Sequence, residues 1–236
     1  MSGGARSGPA GGQLAFDLPP RTGYARPDFF VSAANRDALA AIDGWARWPE
    51  GRMLLTGPAG SGKSHLAAIW AAQAGGTVAE GGALGADAVE GLAAHGAVAV
   101  DDANAVAGHP AREAALFHLH NRMRERGHPL LLTAAAPPRD WGLGLPDLAS
   151  RMQAMAATRL GRPDDALLRA VLVKLFADRQ VVVEPALIPY VVARMDRSIA
   201  AARALVASLD ALSLERGRPI SRALAAEALE DAEAWE

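Results

Sequence analysis

Cysteine is absent from the 236-residue sequence, and lysine occurs only twice, at Lys63 and Lys174. The lack of cysteine excludes disulfides, thiolate metal sites and cysteine nucleophiles. No apolar run approaches the roughly 20 residues of a membrane span, and residues 1–12 lack the apolar core of a secretory signal. We therefore expect a cytoplasmic protein without a transmembrane helix.

An excess of charge of one sign is also missing, because 24 basic residues face 26 acidic ones and the net charge is -2. The arginines are scattered along the chain, which argues against a dedicated, sequence-specific DNA-binding face. Half of the residues are hydrophobic, which is enough to bury a core. The composition predicts a globular protein for which nucleic acid is not the favoured direct partner.

Short apolar runs and helical stretches alternate through the first two thirds of the chain. The runs predict buried parallel strands at 53–56, 97–100 and 130–133. Helices are expected over 36–45, 63–74 and 111–126, and residues 75–96 give a weaker signal for one short strand and one short helix. This alternation predicts a parallel sheet flanked by helices.

The pattern becomes helical throughout after Gly161-Arg162-Pro163. Helices are expected over 164–178, 185–194, 198–215 and 221–232, with prolines near two starts and Ser221 as an N-cap. The predicted fold class is therefore α/β, a P-loop core with a parallel sheet followed by a small all-helical lid subdomain.

The glycine-rich segment after the first strand carries the strongest chemical signal. It matches G-x-x-x-x-G-K-[ST] in full and lies between a strand and a helix, as a phosphate-binding P-loop requires. Backbone N–H groups and the helix N-terminus bind phosphates there, the lysine bridges the β and γ phosphates, and the serine hydroxyl reaches Mg²⁺. We therefore expect ADP or ATP with Mg²⁺ to bind at Gly57, Pro58, Ala59, Gly60, Ser61, Gly62, Lys63, Ser64 and His65.

Asp101 and Asp102 end the next predicted strand, roughly forty residues after the P-loop. A P-loop enzyme needs one carboxylate in the Mg²⁺ shell and another that orients the attacking water. Both aspartates are thus candidate catalytic residues, and Asp101 with Ser64 forms the candidate metal site. Adjacent acids at a strand end are also ordinary turn residues, and that alternative stays open.

The order of P-loop, paired aspartates, apolar strand, arginine and helical lid resembles the AAA+ ATPases. Within them the chain is most similar to the DnaA-related branch, and there to regulatory inactivators of DnaA. The similarity runs from Gln13 to the last residue. It is carried by Phe30-Val31-Ser32-Ala33-Ala34-Asn35-Arg36, Asp101-Asp102, Leu130-Leu131-Leu132-Thr133, Leu145-Pro146-Asp147-Leu148-Ala149-Ser150-Arg151 and Met195-Asp196-Arg197.

This resemblance implies roles for two arginines. Arg151 matches the arginine finger, which reaches the γ-phosphate held by a neighbouring protein. Arg197 matches sensor 2, which contacts the β and γ phosphates of the chain's own nucleotide. In the alternatives, Arg151 pairs with a surface acid and Arg197 is an exposed helical arginine. The family commonly has a polar sensor 1 residue where this chain has Thr133-Ala134-Ala135-Ala136. Only Thr133 could orient a water there, so weak intrinsic hydrolysis is expected.

The segment Gln13-Leu14-Ala15-Phe16-Asp17-Leu18 resembles the sliding-clamp-binding peptide of the same regulators. Gln13 would bond at a pocket rim while Leu14, Phe16 and Leu18 fill an apolar groove; alternatively, these side chains fold back on their own domain. The expected organisation is a flexible tail at 1–12, the clamp-binding peptide at 13–20, the nucleotide-binding subdomain at 21–162 and the helical lid at 163–236.

Together these features predict a nucleotide-bound AAA+ regulator of chromosome replication initiation. With the DNA polymerase III sliding clamp (β subunit), it would stimulate hydrolysis of DnaA-bound ATP near the replisome and nucleoid. The chain stops where DnaA continues into a helix-turn-helix domain, so no DNA-binding domain of that kind is expected. A self-contained P-loop ATPase, a nucleotide-dependent clamp adaptor without finger activity and homo-oligomers remain open alternatives.

Overall fold

A computed structural model describes residues 30–233, and side chains are described for residues 30–230. The predicted clamp-binding residues Gln13, Leu14, Phe16 and Leu18 lie outside this range, so their role stays a prediction. None of the described helices is both long and apolar enough to cross a membrane.

Five parallel strands form one sheet in the order β2-β3-β4-β1-β5. Their bounds are β1 Arg52–Thr56, β2 Thr77–Glu80, β3 Val98–Asp101, β4 Leu130–Ala134 and β5 Ala157–Arg159. Strand β1 is flanked by β4, with Leu54 opposite Leu132, and by β5. The carboxyl ends of β1, β4 and β3 therefore lie side by side at one edge of the sheet.

Nine described α-helices accompany the strands. They are α1 Arg36–Asp43, α2 Lys63–Gln73, α3 Ala88–Ala93, α4 Pro110–Glu125, α5 Pro146–Ala154, α6 Asp165–Asp178, α7 Leu187–Val192, α8 Ile199–Arg216 and α9 Arg222–Glu233. The helix predicted at 36–45 ends two residues earlier, since Gly44 follows Asp43 as its C-cap. The helix predicted at 185–194 is also shorter than expected.

Alternate strand side chains face opposite sides of the sheet, and each side has its own apolar cluster. Leu54, Val100 and Leu132 pack with α3, α4 and α5 on one face. Leu55 and Leu131 pack with α1 and α2 on the other. Because both faces are covered, the strands are continuous apolar runs rather than alternating ones.

Helices α6 to α9 enclose a third apolar cluster that is separate from the other two. Phe176, Val191, Val206 and Leu209 lie at its centre. Helix α6 begins at the N-cap Asp164, whose carboxylate accepts a hydrogen bond from the Leu167 backbone N–H at 2.8 Å. A parallel sheet followed by an all-helical unit confirms the predicted fold class.

Candidate functional site

The glycine-rich loop connects β1 to α2, and its backbone admits only glycine at key positions. Gly60 and Gly62 have φ values of 71° and 101°, in the left-handed region that favours glycine. At Gly57 a Cβ atom would clash with the Leu160 carbonyl oxygen. The Gly57 N–H donates to Ala134 O at 3.1 Å, which fixes the loop to the end of β4.

Lys63 is the first residue of α2, and its ammonium lies inside the loop. Nζ donates hydrogen bonds to the carbonyl oxygens of Gly57 at 2.8 Å and Pro58 at 2.9 Å. Burial lowers the pKa of Lys63, while the nearby carboxylates of Asp101 and Asp102 oppose that shift. The structure thus brings the predicted lysine and both predicted aspartates to one place.

Ser61 supplies the observation that best fits a phosphate in this loop. Its side chain is 2% exposed, and Oγ has no hydrogen-bond partner in the described part of the chain. A buried hydroxyl without a partner costs about 1–3 kcal/mol, so such groups are usually satisfied by a ligand or water. An oxygen-rich ligand in the loop would satisfy Ser61 and meet the Lys63 ammonium.

Asp101 and Thr133 form a buried pair across the neighbouring ends of β3 and β4. The Thr133 hydroxyl donates to Asp101 Oδ1 at 2.5 Å and accepts from the Asp102 backbone N–H at 2.9 Å. Asp102 has φ 49° and ψ 49°, a left-handed conformation that aspartate tolerates. The hydroxyl that could have oriented a water is therefore bonded to Asp101, and the following residues, Ala134 to Ala136, offer only methyl groups.

We expect Thr133→Val to reduce the free energy of unfolding by about 2–3 kcal/mol, because it removes a bond to a buried carboxylate and leaves the Asp102 amide without its acceptor. Urea denaturation would measure the loss. Thr56→Val is the matched control, since within the described residues the Thr56 hydroxyl makes a single 3.3 Å bond, to Thr158 O, and its loss should cost about 1 kcal/mol or less. Equal losses in the two variants would contradict the role given to the Asp101 pair.

The donor set around the loop suits a hard divalent cation that also binds phosphate. Ser64 is exposed on the first turn of α2, and hydroxyl and carboxylate oxygens are the ligands that Mg²⁺ prefers. Among residues 30–230, no group of three or more acidic, histidine or cysteine side chains is placed to hold a metal. Mg²⁺ would therefore need phosphate oxygens in addition to Ser64 and Asp101. His65, also predicted to bind, is half-buried in the same turn.

The helical subdomain contacts the glycine-rich loop directly through the start of α8. The Ile199 backbone N–H donates to Gly60 O at 2.8 Å. Ser198, 7% exposed, caps the helix by accepting from the Ala201 N–H. A Cβ atom on Gly60 would clash with the Ser198 side chain. Gly60 is thus one point of contact between the two halves of the structure.

We expect Gly60→Ala to reduce the free energy of unfolding by about 2–5 kcal/mol, because it adds overpacking against Ser198 to the cost of a left-handed alanine. Gly75→Ala is the control, since Gly75 has a similar φ of 66° but a methyl group added there would have no atom within 4 Å. It should cost only about 1–2 kcal/mol. Chemical denaturation of both variants measures the two losses in free energy of unfolding. Similar losses would show that the Ser198 side chain moves aside at little cost.

Arg197 immediately precedes Ser198 and is therefore close to the loop in sequence. Its guanidinium forms an ion pair with Asp165 at 2.5 Å, where both side chains are about half exposed. An exposed pair of this kind contributes roughly 0–1 kcal/mol. Arg197 would have to exchange Asp165 for phosphate to act as sensor 2, and that role stays a prediction.

Arg151 lies on α5, which packs on the sheet face opposite to α2. Leu148 and Met152 anchor α5 in the apolar cluster, and the Arg151 guanidinium lies over the Phe117 ring, 5.0 Å from its centroid. The pKa of His120 is lowered to about 4, first by burial and then by the positive charges of Arg52 and Arg151. The structure therefore does not bring Arg151 to the chain's own glycine-rich loop.

Glu113 was not identified from the sequence, although it fixes the start of α5. Its buried carboxylate accepts hydrogen bonds from the backbone N–H groups of Gly108, Gly144 and Leu145 at 2.8–3.2 Å. The available signal was its position, since Glu113 falls on the same stripe of α4 as the buried Leu116 and Met123. An acid on an apolar stripe needs buried partners.

Known proteins share this arrangement at the level of the fold. No protein-family model matches the chain. Domain III of the Thermotoga maritima replication initiation protein DnaA superposes with a TM-score of 0.77, over 91% of this chain and 98% of that one, at 18% identity. The chain has the fold of DnaA domain III.

Two further structures share this fold. AMPPCP-bound DnaA from Aquifex aeolicus has a TM-score of 0.68 at 14% identity, over 84% of this chain and 68% of that one. Thermotoga maritima RuvB R170A has a TM-score of 0.66 at 18% identity, over 87% of this chain and 72% of that one. The predicted DnaA-like AAA+ fold is thereby confirmed.

Proposed function

We propose that this chain is a nucleotide-bound AAA+ regulator that, together with the sliding clamp, stimulates hydrolysis of ATP on DnaA, as the regulatory inactivator Hda does. The single observation that carries the proposal is the place of Arg151. It lies on the sheet face opposite to α2, and the guanidinium of this arginine, which matches the finger motif, lies over Phe117 rather than at its own loop. A finger supplied to a second protein works in this way.

The chain's own nucleotide has a mainly conformational role in this proposal. Thr133 uses its hydroxyl on Asp101 and Asp102, and Ala135 and Ala136 provide no replacement for orienting water. The bound nucleotide would therefore turn over slowly. The bond between Gly60 of the loop and Ile199 of the helical subdomain would let phosphates bound in the loop set the position of the lid.

An adenine nucleotide is the ligand class we propose for the loop. The AMPPCP in the Aquifex aeolicus DnaA structure supports this choice for the same fold. The Ser61 hydroxyl, the Lys63 ammonium and the backbone N–H groups of Gly60 and Gly62 would hold the β and γ phosphates. Ser64 and Asp101 would complete the coordination of Mg²⁺, which neutralises phosphate charge when bound.

The proposed partners are DnaA and the sliding clamp. Gln13 to Leu18 provide the apolar anchors of a clamp-binding peptide, and they precede residues 21–162, the proposed nucleotide-binding subdomain. Residues 163–236 form the proposed lid. The peptide would bring Arg151 to DNA on which the clamp is loaded, which restricts DnaA inactivation to sites of active replication.

A reconstituted hydrolysis assay tests the proposal. DnaA loaded with radiolabelled ATP would be incubated with this chain, with DNA-loaded clamp, with both and with neither. We expect rapid conversion to ADP only when both are present, and little turnover by the chain on its own. Fast turnover by the isolated chain would instead establish a self-contained ATPase, and conversion that is unaffected by the chain would refute the regulatory role.

The peptide is tested in the same assay by Gln13→Ala. We expect this change to weaken binding to the clamp and to lower the clamp-dependent rate, while nucleotide binding to the chain is unchanged. If Gln13→Ala abolished regulation while removal of Arg151 left it intact, the chain would be a clamp adaptor without finger activity.

A further inference from the structure

An apolar groove on the helical subdomain lies outside the site described above. It has a volume of about 640 Å³ and is lined by α6, the loop after it and the start of α7. Phe176 and Ile188 are buried at its base, whereas Val173 and Val182 are 56% and 93% exposed. Grooves of this volume are typical of ligand sites, and exposed apolar residues grouped around one indicate a binding surface.

The polar side chains of the groove lining are Arg169 and Gln180. Among the described residues Arg169 has no acidic partner, although other bases of this subdomain are paired: Lys174 with Asp178, Arg179 with Asp210 and Arg197 with Asp165. An occupant that fits should therefore combine several apolar side chains with one carboxylate.

We propose that the groove binds residues 13–18 of the same chain. In an extended peptide, alternate side chains point to opposite faces, so Leu14, Phe16 and Leu18 would fill the apolar groove together. Asp17 would then lie on the outward face of the docked peptide, at the level of the rim, where the long, exposed Arg169 side chain offers a complementary charge. The segment thus supplies three apolar side chains for the groove and one carboxylate that can pair with Arg169.

The chain is long enough for this docking to occur within one molecule. The described residues begin at Phe30, and Ala34 accepts a hydrogen bond from the Gly161 N–H at 3.0 Å, four residues before α6 begins. The Asn35 side chain bonds the Phe30 carbonyl oxygen at 2.7 Å, which keeps Phe30 close to Ala34. From Gly161 to Val173 the distance is at most about 26 Å, counting four extended steps and two helical turns. The twelve steps between Leu18 and Phe30 span up to about 40 Å when extended.

Docking would make the peptide unavailable to other proteins until it is released. In this last step the inference rests on the proposed function, in which the same residues bind the clamp. The groove and the clamp would compete for Leu14, Phe16 and Leu18, and clamp binding would require displacement of the peptide from the lid.

A spin label on the full chain tests the docking itself, without any clamp. Because the sequence has no cysteine, Gly12→Cys gives one labelling site next to the segment. We expect the label to broaden the methyl resonances of Val173, Val182 and Ile188, and reduction of the label to restore them. No broadening at these methyl groups would overturn the proposal and leave the groove to an outside partner.

Surface variants and a mixed sample make the test specific. Val182→Asp should abolish the broadening at Ile188, whereas Leu214→Asp, at an exposed apolar residue of α8 outside the groove lining, should leave it unchanged. Equal broadening in both variants would overturn the proposal. Spin-labelled chain mixed with isotope-labelled wild type should give no broadening, because broadening there would assign the occupant to a second copy.

Clamp binding separates this inference from the proposed function. If both hold, Val182→Asp should strengthen clamp binding several-fold, since the peptide would no longer be occupied. Broadening that Val182→Asp abolishes without any change in clamp affinity would support docking while contradicting the clamp role of residues 13–18.

Discussion

Replacing Arg151 by alanine should slow clamp-dependent hydrolysis of DnaA-bound ATP by about a thousandfold, the lower end of the range for loss of an arginine finger. The guanidinium has five donors in a planar fork that matches phosphate oxygens. In the free chain it lies over Phe117, a contact of about 0.5–1 kcal/mol at a half-exposed position. So weak a contact would release Arg151 readily to a phosphate, and the assay described above measures the rate.

Two comparisons show whether this loss comes from the finger. Arg139→Ala removes an exposed arginine whose one ion pair in the described part of the chain is a 3.6 Å contact with Asp140, and it should leave the rate unchanged. Arg151→Lys keeps the charge without the fork and should recover only part of the activity. Nucleotide and clamp binding by Arg151→Ala should equal those of wild type. A rate for Arg151→Ala within a few-fold of wild type would remove the finger from the mechanism.

Lys63→Ala should weaken binding of ADP and ATP by at least about a hundredfold. Among residues 30–230, the ammonium is the one positive side chain that lies inside the glycine-rich loop, and charge-assisted bonds to buried phosphate oxygens are worth about 1.5–3 kcal/mol each. Titration of wild type and variant with a fluorescent ADP analogue would give both dissociation constants.

Lys174→Ala is the natural control, because it removes the only other lysine of the chain. Lys174 lies on α6 and pairs with Asp178 at 3.1 Å, so its loss should leave nucleotide affinity unchanged. Identification of the nucleotide that copurifies with wild type adds a second readout, which Lys63→Ala should abolish. Retained ligand in that variant would show that Lys63 does not contribute to binding.

The sequence predicted three central strands because each is a continuous apolar run. The edge strand β5 gave no such signal, since Ala157-Thr158-Arg159 is short, polar at two positions and largely exposed. Its position depends on pairing with β1, a long-range contact that local periodicity does not encode. Fold class could thus be predicted from the buried strands, while the complete sheet could not.

The candidate site shows the same division between local and long-range information. The P-loop pattern identified Lys63, because motif spacing is local to one strand, loop and helix. The bond between Thr133 and Asp101 joins residues 32 positions apart, and only the parallel pairing of β3 with β4 places them together. Glu113 escaped detection for the same reason, since two of its three backbone donors, Gly144 and Leu145, lie 31 and 32 positions away in the chain.

The contact of Gly60 with Ser198 and Ile199 has a kinetic consequence. A ligand seated in the glycine-rich loop would be covered on one side by the start of α8, which is bonded to the loop itself. Departure of the ligand would then require the helical subdomain to swing away, a motion that domain hinges make in microseconds to milliseconds or more slowly. The residence time of the nucleotide on this chain would depend on the stability of the contact between Gly60 and the start of α8 as well as on the contacts with phosphate. A regulator built in this way would keep its nucleotide through many encounters with a partner.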